Sequence, residues 1–149
     1  GLGHQVRFRI TERGLVAAVV ADDVFFRPAS ATLTDTALHV LDTIAPVLRG
    51  LGEQISVEGH TNTIPVSGRY PTNWELSSDR ATQVLRRLVE VGGLPADHVA
   101  AVGFGEARPL DDPTADPIEA NRRVDLVVLS GVPEDVRHLL PVLAGQTQG

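Results

Sequence analysis

The chain is 149 residues long and 42% hydrophobic, enough to bury one core and short for two. Its 13 basic residues are all arginine and are outnumbered by 19 acids, a formal net charge of -6, which excludes broad nucleic-acid binding through phosphate neutralisation. Cysteine is absent, so there is no disulfide framework and no thiolate metal site.

From the N-terminus, Gly-Leu-Gly-His carries neither the basic region nor the apolar core of a secretory signal. Runs such as Leu15 to Ala21 are far too short to cross a bilayer. The Gly-Leu-Gly-His lead sets the expectation of an excised fragment, with a membrane or targeting segment outside it. Val6 to Ile10 alternates polar and apolar residues, and Leu15 to Val20 is rich in β-branched ones, so both read as strands, the second buried. Asp22-Asp23 forms a turn before Val24-Phe25-Phe26. Thr34 is placed to cap a helix carrying Leu38, Leu41, Ile44, Ala45 and Leu48 at helical period, ended by Gly50 and Gly52. Pro46 removes a backbone donor inside that pattern and is expected to kink or shorten the helix.

Ile55 to Glu58 alternates as a half-exposed strand. Gly59 to Pro71 is a long loop of Gly, Pro, Thr, Asn and Ser, longer than most connections and a candidate binding surface. Thr72 and Glu75 have capping-box spacing, and the helix they open carries Ala81, Val84, Leu85, Leu88 and Val91 before Gly92-Gly93. Val99 to Phe104 reads as a strand, Asp111 to Asp116 as a loop, Val124 to Leu129 as a buried strand, and Glu134 to Leu143 as a short helix interrupted by Pro141. Strands alternating with helices, joined by connections long enough for crossovers, predict an α/β two-layer sandwich with helices on one face of a mixed sheet.

Asn73 and Arg80 lie two helical turns apart and so project from one face, with Leu76 and Ser77 between them. The planar fork of an arginine suits a carboxylate, which makes Arg80 the candidate clamp. On spacing alone, a solvated or acid-paired surface arginine is the stronger reading. In Asn121-Arg122-Arg123-Val124, two cations open a strand whose side chains alternate, so one of them faces any given site while the other braces the fold. Charges that close neighbouring helix ends are an equal alternative. Glu58 and His60 share a strand face, but two ligands do not make a metal site, and His60 reads as a residue that orients the loop by hydrogen bonding. Ser67 and Ser77 lack a nucleophile elbow, and Gly103-Phe104-Gly105 lacks the third glycine of a dinucleotide fingerprint. Nothing in the sequence calls for a cofactor or a catalytic role.

Four separated stretches, in order over about 110 residues, resemble the OmpA-like peptidoglycan-binding domain. They are Glu58-Gly59-His60-Thr61; Asn73, Leu76, Ser77, Arg80, Ala81 and Val84; Gly103-Phe104-Gly105-Glu106 with Pro109; and Asn121-Arg122-Arg123-Val124. Ile64-Pro65, the stretch Tyr70 to Ser77, and Leu15 to Ala31 with Phe25-Phe26 are similar to the MotB branch, the wall-anchoring stator subunits of flagellar motors.

The resemblance implies a βαβαβ-type sandwich over residues 15–130, between an N-terminal extension at 1–14 and a tail at 131–149. It implies noncovalent binding of the peptidoglycan stem peptide through meso-diaminopimelate. Arg80 would hold the diaminopimelate carboxylate, Asn73 would bond the peptide, Arg122 and Thr61 would line the pocket, and Leu76 would form its wall. The family motif places Asp directly after Gly-His-Thr, where it receives the diaminopimelate ammonium. This chain has Asn62, which forfeits charge assistance and about tenfold in affinity. The resemblance further implies a periplasmic domain of an inner-membrane protein, a homodimer, and a channel-forming stator partner engaged through a transmembrane region. Two alternatives stand beside this reading: a dimerisation domain whose ligand site is lost, and a general wall anchor unrelated to motility.

Overall fold

A computed structural model of the chain describes residues 6–11, 14–20, 25–110 and 116–129. Five strands form one mixed sheet: β1 (Val6–Thr11), β2 (Gly14–Val20), β3 (Gln54–His60), β4 (Val99–Gly103) and β5 (Arg123–Leu129), in the spatial order β1-β2-β5-β3-β4. All neighbours are antiparallel except β3 and β4, which run parallel and are joined by a crossover helix, as a parallel pair requires. The segment 6–11, read from sequence as part of an extension, pairs along its whole length with β2. The turn expected at Asp22-Asp23, residues 111–115 of the loop expected from Asp111 to Asp116, and the helix expected over Glu134 to Leu143 lie outside the described residues.

Helix α1 (Asp35–Leu51) starts where Thr34 accepts a hydrogen bond from the Ala37 amide at 3.2 Å and ends at Gly52, in the left-handed region at φ 68°. Pro46 neither shortens nor ends it. Its ring lies on the exposed side, where water can satisfy the carbonyl that loses its donor. Helix α2 (Asn73–Arg86) opens with the capping box expected at Thr72 and Glu75: the Thr72 hydroxyl accepts from the Trp74 amide, and the Glu75 carboxylate takes the Thr72 amide at 2.9 Å. It widens into a π-helical turn over Arg87–Val91 before Gly92. A four-residue helix, α3 (Pro117–Ala120), precedes β5.

The helices cover one face of the sheet. Their apolar residues, among them Val40, Leu41, Ile44, Leu48, Ala81, Val84 and Leu88, pack on Phe25, Phe26, Ile55, Val57, Val124, Leu126 and Val128 in one core. Helix α2 can lie this close because β3 and β4 present Gly59 and Gly103 beneath it. A Cβ at Gly59 would fall inside contact distance of the Ser77 carbonyl, and one at Gly103 inside that of Ser78.

The half-exposed strand expected at Ile55 to Glu58 is buried on both faces. Ser56, Glu58 and His60 face away from the helices and pair across the sheet with Val127, Asp125 and Arg123. The Ser56 hydroxyl donates to Glu58 at 2.8 Å, and Arg123 donates from Nε to the Asp125 carboxylate at 3.2 Å. Burial of these charges is tolerable because each has a partner across or along the strands.

Candidate functional site

The C-terminal end of β3, the loop after it and the start of α2 enclose a cavity of about 200 Å³. Its walls include Thr61, Asn62, Ile64, Pro65, Ser67, Asn73, Leu76, Arg80 and Arg122. All six residues singled out from sequence therefore meet at one place, drawn from a strand end, a helix face and the segment before β5.

Arg80 is 4% exposed, which removes the solvated-surface reading. Its Nε donates to the Ser30 carbonyl at 2.8 Å and its Nη2 to the Arg27 carbonyl at 3.4 Å, while the guanidinium carbon stands 4.7 Å from the centroid of the Phe26 ring. Carbonyl dipoles and the ring's negative face hold the planar cation at a fixed angle with one side on the cavity. The same segment brings Ala29 to the wall at φ 49°, a left-handed conformation unusual for a residue with a Cβ.

Alternation along the strand start separates the paired arginines. Arg122 lines the cavity, whereas Arg123 is buried on the far face of the sheet, bonded to Asp125 and, through Nη1, to Asn121 at 3.2 Å. Asn121 itself accepts from the Leu110 amide at 2.6 Å and donates to the Pro117 carbonyl at 2.7 Å, closing the connection that delivers Arg122. Two guanidinium groups stand in the cavity wall, and no acid stands among its described lining residues. A carboxylate is the ligand group this arrangement favours.

The amides do different work. Asn73 donates from Nδ2 to the carbonyls of Ile64, at 3.2 Å, and Asn62, at 3.4 Å, which fixes the turn of the loop. Its side-chain oxygen is the group it can offer a ligand. Asn62 is engaged at both ends: its Oδ1 accepts from the Ile64 amide at 3.0 Å, and its Nδ2 donates to the Ile118 carbonyl on α3 at 3.1 Å. It clasps the loop to the segment before β5, a role the sequence did not suggest. Thr61 donates from its amide to the Gly105 carbonyl at 2.8 Å and from its hydroxyl to the Asn62 carbonyl at 2.9 Å. Leu76, 6% exposed, supplies the apolar wall.

Tyr70 closes the far end of the loop. It is buried and donates its hydroxyl to Asp79 at 2.6 Å; burial, then the Asp79 carboxylate, push its ionisation above the ordinary phenol range. His60 is turned away from the cavity. It stacks on Phe104 with ring centroids 5.3 Å apart and brings Nε2 to 3.6 Å from the Asp125 carboxylate. Of the lining residues beyond those six, Ile64, Pro65, Val66 and Ser67 fall in the loop whose length and composition had marked it, and Ala29 comes from the 27–30 segment, which carried no such signal.

Residues 25–123, which contain every lining residue of the cavity, match the sequence profile of the OmpA family. The chain belongs to the OmpA family. It is 36% identical over 129 residues to YtxE of Bacillus subtilis, covering 85% of this chain and 53% of that protein. It is 40% identical over 108 residues to motility protein B of Escherichia coli, covering 70% and 34%. The chain thus spans about half or less of the length of these curated relatives. Among solved structures of OmpA-like fold, a MotB-like protein from Desulfovibrio vulgaris superposes with a TM-score of 0.76 at 30% identity, covering 89% of this chain and 83% of that one. The cell wall anchor of the type VI secretion system from Pseudomonas aeruginosa gives 0.75 at 31% identity, covering 85% and 89%. The helices-on-one-face sandwich of this chain is the fold of those domains.

Proposed function

We propose that this domain binds the stem peptide of peptidoglycan noncovalently, chiefly through the diaminopimelate carboxylate, and so ties a membrane protein to the cell wall from the periplasmic side. The observation that carries the reading is the meeting of Arg80, Arg122, Asn73, Thr61 and Leu76 around one cavity whose described lining has two cations and no acid. Arg80 faces the carboxylate with its guanidinium, whose orientation is set beforehand by the carbonyls of Arg27 and Ser30. Arg122 adds a second positive charge, Asn73 takes a peptide donor on its side-chain oxygen, and Leu76 packs against the methylene chain. The site is a binding module and not a catalyst. The likeness to motility protein B supports a role in a motility machine; in this reading the domain belongs to a stator subunit that works as a homodimer with a channel-forming partner. The near-equal likeness to a secretion-system wall anchor supports a second reading, with the same ligand and a machine other than the motor.

Calorimetric titration with a diaminopimelate-containing stem peptide tests the proposal. Saturable binding is expected, weakened about tenfold in Arg80→Lys, which keeps the charge and loses the fork. Because Arg80 also holds the 27–30 segment, Arg80→Ala is read only beside a melting curve. Absence of binding by the starting protein, with a stable dimer in sedimentation, would replace this reading with the dimerisation domain.

A further inference from the structure

The chain has a single tryptophan, and it is not in the core. Trp74, at the first turn of α2, is 53% exposed although it is the largest apolar side chain available for burial. An exposed indole of that size asks for a partner.

Its surroundings hold it in one orientation. The nearest heavy atoms to the Cβ position of Gly105 are Cδ2 and Cε3 of the Trp74 ring at 3.4 Å, so the indole lies against the glycine backbone with nothing between. Gly105 is at φ 55°, a conformation that favours glycine, and its amide donates to the Ser77 hydroxyl at 2.9 Å. That hydroxyl donates to the Trp74 carbonyl at 3.1 Å, tying the glycine to the helix turn that carries the ring. The indole is thus backed on the protein side and open on the other.

The platform adjoins the cavity. Asn73, the preceding residue, is in the cavity wall, and the Gly105 carbonyl accepts from the amide of Thr61, also in the wall. Ile64, 55% exposed, is an apolar side chain of the cavity wall itself, and the backbone carbonyl of Ile118, whose side chain is 38% exposed, is bonded to Asn62 in that wall. A ligand seated on Arg80 that extends out of the cavity meets apolar surface.

We propose that Trp74 stacks on a sugar ring of the glycan strand to which the stem peptide is attached, so that the domain reads peptide and glycan together. This rests on the stem-peptide reading of the cavity. The axial C–H groups of a pyranose give one apolar ring face, which a flat, backed, solvent-open indole is shaped to cover. An uncharged platform also suits a neutral N-acetylated sugar better than it suits the charged peptide.

The test compares two ligands: the stem peptide alone and the same peptide joined to its N-acetylated disaccharide. The disaccharide-peptide is expected to bind between about twofold and tenfold more tightly than the peptide, the range of one aromatic contact. It should also shift the emission of Trp74, which as the sole tryptophan reports without background. In Trp74→Ala, followed by calorimetry, the advantage of the disaccharide is lost while affinity for the bare peptide is retained; Trp74→Phe recovers part of it. Equal affinities for the two ligands in the starting protein would overturn the proposal. So would an equal weakening of both ligands in Trp74→Ala, which would make the indole a support for α2. An emission shift driven by protein concentration alone would assign the indole to a contact between copies. If neither ligand binds, the cavity reading has failed and the glycan contact falls with it; if both bind equally, only the glycan contact fails.

Discussion

Replacing Asn62 by aspartate separates the two roles that position can play. In the structure its Oδ1 accepts from the Ile64 amide at 3.0 Å and its Nδ2 donates to the Ile118 carbonyl at 3.1 Å. A carboxylate that keeps the first bond puts its second oxygen against the Ile118 carbonyl with no proton between them. It must therefore rotate and weaken the first bond, or stay and suffer repulsion. Ile118 is partly exposed, so water can satisfy its carbonyl, which limits the cost to about 1 to 2 kcal/mol, one to two neutral hydrogen bonds. The rotated carboxylate, however, offers a ligand ammonium a charged acceptor in place of a neutral one, about 1.4 kcal/mol or tenfold. Asn62→Asp is thus expected to be less stable in urea denaturation at pH 7 and to bind a free-amine stem peptide more tightly in calorimetry. Repulsion raises the folded-state value of the new carboxyl above its unfolded value, so the deficit should shrink as pH falls towards about 4, where the carboxyl protonates and regains a donor for Ile118. An unchanged urea midpoint would refute the clasp. A lowered midpoint with unchanged affinity would show that the ligand ammonium does not reach this position.

Three further outcomes follow from the packing. Gly59→Ala drives a Cβ into the Ser77 backbone and is expected to destabilise by at least about 1 to 3 kcal/mol, whereas Gly50→Ala, with open space around it in α1, is expected to gain about 0.5 to 1 kcal/mol; equal urea midpoints would refute the close approach of α2. Tyr70→Phe leaves the ring and removes the bond to Asp79, for a loss of about 1 to 2 kcal/mol and a loop that exchanges its amides faster by hydrogen exchange; unchanged exchange between residues 61 and 70 would deny the tether. Arg87 donates to both oxygens of Asp42, and its hydrogen bonds hold that carboxyl below the ordinary range. A depressed folded-state value means the stabilisation is complete above the unfolded value and is lost as pH falls through the folded one, so the deficit of Arg87→Ala should be present at pH 7 and shrink as pH falls below about 4, the unfolded value. A deficit independent of pH would refute the ion pair as its source.

What the sequence made legible was local. The Thr34 and Thr72–Glu75 caps, the helical period of α1 and α2 and the long polar loop all depend on residues within a few positions of each other, and each appears where expected. The misreadings share a cause. Ser56, Glu58 and His60 alternate with apolar residues as they would on a solvent face; they are buried because Asp125 and Arg123 come from the other end of the chain to lie beside them. The shortening expected at Pro46 does not occur, because sequence shows the missing donor and not which side of the helix faces water.

The same distinction divides the candidate site. That Asn73 and Arg80 share a face was readable from their spacing, because helical period is a local rule. That Arg80 is buried was not, because its anchors are backbone carbonyls 50 and 53 residues earlier, and any residue supplies a carbonyl. Asn62 is the sharper case: set against a motif, it looks like an aspartate that has lost its charge. Set against the Ile118 carbonyl 56 residues later, the amide is the form of that side chain able to donate there while accepting from Ile64. A neutral residue at a ligand site can therefore mark a structural demand as readily as a lost function, and only the structural demand predicts a loss of stability when the charge is put back.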